Sequence, residues 1–300
     1  METRGARAVR ELLDSNGFSF SKALGQNFLI DANISEKIVK ASGIDKSCGV
    51  LEVGPGAGAL TGYLAKAAAK VIAVELDKRL ADILEQTMPD TAGVEVVRGD
   101  ILKLDIAGLV GGKMHGLRTC VCANLPYSIT TPALTALINA SVFEEITVMV
   151  QREVARRICA HPGVREYGAL SVFIQYHTFP VILFDVPPEC FMPRPKVYSA
   201  VVTMKTRPES LLSSEVETLF FKIVRAAFNQ RRKTLANALF AVFGSEMSKD
   251  SLIDIIKECG FDVNVRGEAL DIEDFIKLTA RIGANRGEQQ IAAYTADREQ

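Results

Sequence analysis

The 300-residue chain has no apolar run long enough to cross a bilayer, and its first residues lack a signal-peptide pattern. Glu2, Glu11 and Asp14 are out of keeping with an acid-poor transit peptide, so a cytoplasmic protein without membrane attachment is expected. Cysteine is too sparse for a disulfide scaffold. The six residues, at 48, 120, 122, 159, 190 and 259, form no two CxxC pairs of the kind zinc uses, so no metal is expected. Cys120 and Cys122 alternate with Val121 in an apolar run and read as core thiols. Neither sign of charge dominates: 35 Lys and Arg meet 36 Asp and Glu, for a net charge of −1. The basic surplus usual in nucleic-acid binders is therefore missing. Any such role falls to local clusters, Arg152, Arg156 and Arg157 or Arg225, Arg231, Arg232 and Lys233, whose default reading is a solvated helix face.

What is present, 48% hydrophobic and 24% charged residues, suits a globular chain with one large and one small domain. An amphipathic stretch near Ala6 to Asn16 precedes the polar segment Ser19 to Asn27, and Asp31 is placed to cap a helix ending near Gly43. Within Leu24-Gly25-Gln26-Asn27-Phe28-Leu29, the adjacent Gln26 and Asn27 can hydrogen-bond a polar ligand while Phe28 and Leu29 anchor the loop. Val50 to Val53 reads as a buried strand running into Gly54-Pro55-Gly56-Ala57-Gly58-Ala59-Leu60 and a helix. Strand, glycine turn and helix N-terminus let backbone approach a nucleotide-like ligand. The next strand ends at Glu75, a carboxylate suited to ribose hydroxyls, and a third ends at Arg98-Gly99-Asp100. Gly54, Gly56 and Ala59 also match the dinucleotide fingerprint, so NAD and S-adenosylmethionine both remain open at this level. Asp100 can accept from an adenine amino group; alone it would be a solvated strand end.

Asn124-Leu125-Pro126-Tyr127 follows the apolar run Thr119 to Ala123. An exocyclic adenine amino nitrogen is a poor nucleophile because its lone pair is delocalised into the ring. A carbonyl that accepts one of its N–H bonds, from the Asn124 side chain or the Leu125 main chain, localises that pair. Proline stiffens the segment, and Tyr127 supplies a face for an unpaired base. The plainer reading is a strand-ending turn with a partly buried tyrosine. No Pro-Cys occurs, the usual setting of a cysteine nucleophile for methylation at a base carbon, which favours attack by nitrogen.

Glu145 to Val150 forms a further strand before the Arg152 helix, and Tyr167 to about Thr178 is expected as another. The proline-rich span Val186 to Val197 is expected as an extended loop without ladder bonds, where Phe191 either packs inward or faces Tyr127. Arg194 and Lys196 flank it and can hold phosphates. Ser199 to Lys205 makes a final strand. Helical periodicity over Glu215 to Phe243, broken by Arg231-Arg232-Lys233, continues at Ser248 to Cys259 and Asp271 to Ile282. The domains expected are 1–206, 207–282 as a helical RNA-binding unit, and a tail at 283–300 whose polar composition suits disorder.

These segments together closely resemble the ribosomal RNA adenine dimethyltransferases over roughly Lys22 to Ala280, including the Tyr167-Gly168-Ala169-Leu170-Ser171-Val172, Phe191 to Val197 and Phe228 to Leu235 stretches. The resemblance implies an α/β Rossmann-like methyltransferase sheet, mostly parallel with an antiparallel strand near its C-terminal end, and a small helical domain. It assigns Asn27, Leu29, Gly54, Glu75, Asp100 and Asn124 to an S-adenosylmethionine site. Asn124, Leu125 and Tyr127 would hold the target adenine, with Phe191 on its other face. The implied substrate is a pair of adjacent adenosines in a hairpin loop near the 3′ end of small-subunit RNA, each methylated twice, within a pre-30S particle and by a monomer. Ser128 departs from the Asn of many relatives, and the low overall charge is less typical. Two rivals are a nicotinamide-dependent oxidoreductase and an assembly factor that has lost its chemistry.

Overall fold

The computed structural model describes residues 5–16, 27–88 and 93–285. The chain forms two compact units and passes between them at Ala155/Arg156, Thr178/Phe179 and Thr206/Arg207. Residues 156–178, expected in the large domain, group with the second unit.

The first unit is built on runs too apolar to tolerate a wet face. Strands β2 (Cys48–Val53), β3 (Lys70–Glu75), β5 (Arg118–Asn124) and β6 (Glu145–Gln151) are buried almost throughout, as parallel strands covered by helices must be. With β4 (Val94–Arg98), β7 (Thr178–Val186) and β9 (Ser199–Thr206) they form a seven-stranded sheet in the order β4-β3-β2-β5-β6-β9-β7. Neighbours from β4 to β6 pair in parallel, and β9 runs antiparallel to β6 with Gln151 opposite Ser199. This is the mostly parallel sheet with an antiparallel strand that was expected.

Helices α1 (Gly5–Ser15) and α2 (Ala32–Ala41) precede the sheet, and Asp31 caps α2 by accepting from the Asn33 N–H at 2.9 Å. Crossovers α3 (Thr61–Ala67) and α4 (Lys78–Thr87) carry the chain outward from β2 to β4. It then returns through α5 (Ile106–Lys113) to β5 on the other side of β2, and α6 (Thr130–Asn139) leads on to β6. Strand order therefore reverses between β2 and β5, and a crevice opens at their carboxyl ends. Among the described residues, no helix is long and apolar enough to cross a membrane.

Two local readings are corrected. Residues Ala169–His177 form helix α8, following α7 (Arg152–Ile158), rather than a strand, which begins only at Thr178. Strand propensity in this β-branched and aromatic run spans about 1 kcal/mol, whereas burying each large side chain contributes about 1.5–3 kcal/mol. Val172 and Tyr176, four residues apart on one helical face, both enter the core of the second unit. The Gly168 N–H donating to Ser171 Oγ at 3.1 Å starts the helix. The proline-rich loop, in turn, does make ladder bonds. Its β8 (Phe191–Met192) pairs antiparallel with β1 (Phe28–Leu29), and the Ile30 N–H donates to the Cys190 carbonyl at 2.8 Å.

The second unit packs α8 with α9 (Ser214–Asn229), α10 (Leu235–Phe243), α11 (Lys249–Glu258) and α12 (Ile272–Asn285) around Phe220, Phe243 and Phe275. Helix α12 runs three residues past the expected boundary at 282; the rest of the expected tail lies outside the described residues. Arg231, expected to contact RNA, is used as a staple. Its guanidinium donates to the carbonyls of Arg165 (2.8 Å) and Tyr167 (3.0 Å) and to Glu268 (3.2 Å). Arg232 and Lys233 are exposed. Arg231→Ala should accordingly lower the thermal stability of the second unit, by about 0.5–1.5 kcal/mol, through the hydrogen bonds it removes. Arg232→Ala combined with Lys233→Ala should leave the melt unchanged, and a melting series on the variants separates the two.

Candidate active site

The crevice at the sheet's switch point encloses about 1030 Å³, counting space open to solvent, and gathers residues from Asn27 to Ile129. Asn27, Leu29, Gly54, Gly56, Glu75, Asp100, Asn124, Leu125 and Tyr127, separated by up to a hundred residues in sequence, all line it. Gln26 lies outside the described residues. Phe191 does not line the crevice.

Its floor is the turn after β2. Gly54 and Gly56 both adopt positive φ, +65° and +58°, conformations that side chains rarely take. A Cβ on Gly56 would sit 2.7 Å from the Phe28 ring, so the turn also needs the missing side chain to seat the Phe28 segment. Gly56→Ala should cost about 1–3 kcal/mol of stability, which thermal melts would check.

Two carboxylates stand on that floor. Glu75 is buried; its Oε2 accepts from the Gly56 N–H at 3.2 Å and its Oε1 from the Asp77 N–H at 2.9 Å. Burial pushes its pKa up, and the backbone donors of Asp77 and Gly56 oppose that shift. The second carboxylate, Glu52, was not singled out from sequence. It is 1% exposed, its Oε2 has no hydrogen-bond partner, and burial, with Glu75 nearby, pushes its pKa up to about 8. The signal was available: Glu52 is the one charged residue in the otherwise apolar β2. Leu76, also unnoticed, is an exposed apolar side chain on the rim beside Glu75. Asp100, on the same wall, accepts from the Leu102 N–H at 3.0 Å.

Beside the glycine turn, with Pro126 against Gly54, stands the tetrapeptide. Asn124 ends β5, and its Nδ2 donates to the Asn27 carbonyl at 3.2 Å, which orients the amide. Its Oδ1 is buried and has no partner. An unmatched buried acceptor costs about 1–3 kcal/mol, so this oxygen is a built place for an N–H from outside the chain. The Leu125 N–H donates to the Met149 carbonyl at 3.1 Å, tying the segment to β6. The Tyr127 ring is half-buried, and its hydroxyl is 2.6 Å from Ser199 Oγ. Burial raises the Tyr127 pKa. Ser199, fully buried at the start of β9, was read only as a strand residue, and no local pattern marks it as a brace.

Phe191, expected to stack on a base from the other side, is 3% exposed and packs with Leu29, Val186, Cys190 and Val201. The β1–β8 pairing turns it into the core, so stacking by it would require repacking. Arg194 pairs with Glu189, and Lys196 is exposed.

A crevice of this construction on this sheet defines a Rossmann-like, class I methyltransferase fold. The comparisons carry the assignment further. Residues 17–279 match the family model described as ribosomal RNA adenine dimethylase. The chain is 47% identical over 270 residues to a ribosomal RNA small subunit methyltransferase A of Lachnoclostridium phytofermentans, covering 89% of this chain and 93% of that one. A namesake from Streptococcus pneumoniae is 46% identical, with 90% and 94% covered. Among solved structures, a dimethyladenosine transferase from Plasmodium falciparum superposes with a TM-score of 0.70 at 25% identity, over 87% of this chain and 98% of that one. The 23S rRNA methyltransferase ErmE shares the fold, with a TM-score of 0.65 over 85% and 98%. The chain belongs to the ribosomal RNA adenine dimethylase family. The choice between oxidoreductase and methyltransferase is thereby made for the latter.

Proposed function

We propose that this enzyme transfers methyl groups from S-adenosylmethionine to the exocyclic amino groups of two adjacent adenosines in a hairpin loop near the 3′ end of small-subunit ribosomal RNA. The observation that carries the reading is the orphaned Asn124 Oδ1, buried in the crevice and oriented by the Asn27 carbonyl. The names of the relatives, which specify the small subunit, support the choice of RNA.

The residues fit the cofactor. The glycine turn offers a cradle that a side chain at Gly56 would fill, and Glu52 keeps an unmatched oxygen beside it. Glu75 would accept from the ribose hydroxyls, Asp100 from the adenine amino group, Leu76 would cover the adenine ring, and Glu52 would receive the methionyl ammonium. Bound there, S-adenosylmethionine supplies an electrophilic methyl group on a sulfonium, open to direct attack by a nitrogen lone pair.

The chain's own work is positioning and polarisation. Asn124 Oδ1 and the Leu125 carbonyl accept the two N–H bonds of the target amine, localise its lone pair and aim it. The amine gains positive charge as it is methylated. Both oxygens and the face of Tyr127 interact more strongly with that charge than with the neutral amine, so they favour the transition state. The surplus proton leaves to water, and no strong base is needed. Ser199 holds the hydroxyl end of the Tyr127 ring. Lys196, Arg232 and Lys233 are exposed and suited to RNA phosphates. The substrate is taken within a partly assembled small subunit in the cytoplasm.

Incubation with labelled cofactor and unmethylated small subunits, followed by mapping of the label, tests the reading. Label in the paired adenosines supports it, and label confined to large-subunit RNA refutes it.

A further inference from the structure

Tyr198 stands immediately before Ser199, yet the two side chains have opposite surroundings. Ser199 is fully buried against Tyr127, whereas Tyr198 is 44% exposed. An exposed tyrosine needs no explanation by itself. This one is built in. The Arg152 guanidinium lies over its ring at 4.7 Å from the centroid, and Arg152 is in turn tied to Asp185 at 3.5 Å. The Arg152 N–H donates to the Tyr198 carbonyl at 2.9 Å, extending the β6–β9 ladder by one step beyond the Gln151–Ser199 pair. The ring is therefore held by a cation on one side and by the sheet at its root. It stands at the carboxyl end of β6, the sheet edge on which the crevice opens. Through Ser199 it is one residue along the chain from the clamp on the base-facing tyrosine.

We propose that Tyr198 and Arg152 form a second nucleotide subsite, a stacking platform for the base that neighbours the adenosine in the crevice. This rests on the reading of the crevice as an adenosine-methylating site. The physical need is clear from that reading: a base can enter a closed pocket only after leaving the stack with its neighbour. An aromatic face on that edge of the sheet restores to the neighbour the stacking it has lost, whatever that base is. A guanidinium over the ring stiffens the platform and adds positive charge where the backbone must pass, and exposed Lys196 lies two residues away. When the target is one of two adjacent adenosines, the neighbour on the platform is the other substrate base.

The test uses the full chain and unmethylated small subunits, either whole or carrying an abasic nucleotide in place of one of the two adenosines. With whole subunits, Tyr198→Ala should raise KM about tenfold, within the range that stacking of one base on an aromatic side chain supports. Tyr198→Phe and Tyr198→Trp should restore it, and affinity for S-adenosylhomocysteine should stay at the wild-type value in all three. With abasic subunits, wild-type KM should already be raised about tenfold, and Tyr198→Ala should add less than twofold. An unchanged KM on whole subunits overturns the subsite. So does an equal rise on whole and abasic subunits, because the ring would then be contacting something other than the neighbouring base, a ribosomal protein for example. Wild-type enzyme that labels neither adenosine of whole subunits is a different result and removes the underlying reading of the crevice.

Discussion

Replacing Asn124 by alanine should lower the single-turnover rate of methyl transfer, at saturating cofactor, by about 10²–10³-fold. The size follows from the place of Oδ1. It is a buried acceptor, already desolvated and already oriented by the Nδ2 bond to the Asn27 carbonyl, so in the proposed role it would polarise the amine without reorganising. Alanine removes that acceptor and also frees the Asn27 carbonyl, so cofactor binding should weaken as well. Saturating cofactor takes the second effect out of the measurement. The fold should survive, because the lost oxygen has no partner within the chain and contributes nothing to its stability. An unchanged single-turnover rate would refute the role given to Asn124.

Glu52→Gln should produce the largest change in pH dependence. The folded, ligand-free chain holds the Glu52 proton up to about pH 8, while an unfolded chain releases it near 4.5. Between those values the folded state binds more protons than the unfolded one, so this residue's contribution to stability falls as pH rises through the window. Glutamine has the same shape and no charge to bury. The variant should therefore match the parent near pH 4.5 and gain on it up to about pH 8, by on the order of 4 kcal/mol in the limit. Denaturant melts across that range would show the diverging curves, and parallel curves would sink the assignment. The same residue links binding to protons. An ammonium placed against Glu52 favours its carboxylate, so S-adenosylhomocysteine binding near pH 7 should release close to one proton. Calorimetry in two buffers of different ionisation enthalpy should detect the release in the parent and not in Glu52→Gln.

Much of the crevice was readable along the chain because its parts are short local devices. A positive-φ turn needs glycine, so Gly54 and Gly56 announce themselves; an acid at the end of an apolar strand, such as Glu75, is conspicuous for the same reason. The tetrapeptide from Asn124 combines an amide, a proline and an aromatic within four residues, and the structure sets it directly beside the glycine turn, with Pro126 against Gly54. Other elements depended on distant partners. Tyr167 to Thr178 has a strand-like composition, and Ala169–His177 within it is a helix because Val172 and Tyr176 find a helical core formed by residues about fifty to one hundred positions later. Phe191 was open between two fates until Leu29 paired with it across more than a hundred and sixty residues. Arg231 looked like a phosphate ligand, but the carbonyls of Arg165 and Tyr167 engage its Nη2.

The sequence by itself determined the alternation of strands and helices, the glycine turn, the acids at strand ends and the kind of amine chemistry that Asn124 to Tyr127 can support. Each depends on backbone conformations and side-chain types within a few neighbouring residues. Only the tertiary structure decided that Ser199 braces Tyr127, that Glu52 is left buried with an unmatched oxygen, that Phe191 turns inward and that Tyr198 stands exposed beneath Arg152. Those outcomes follow from which strands become neighbours. Adjacency in a sheet joins residues far apart in the chain, and the energies that select it belong to the packed whole rather than to any one segment.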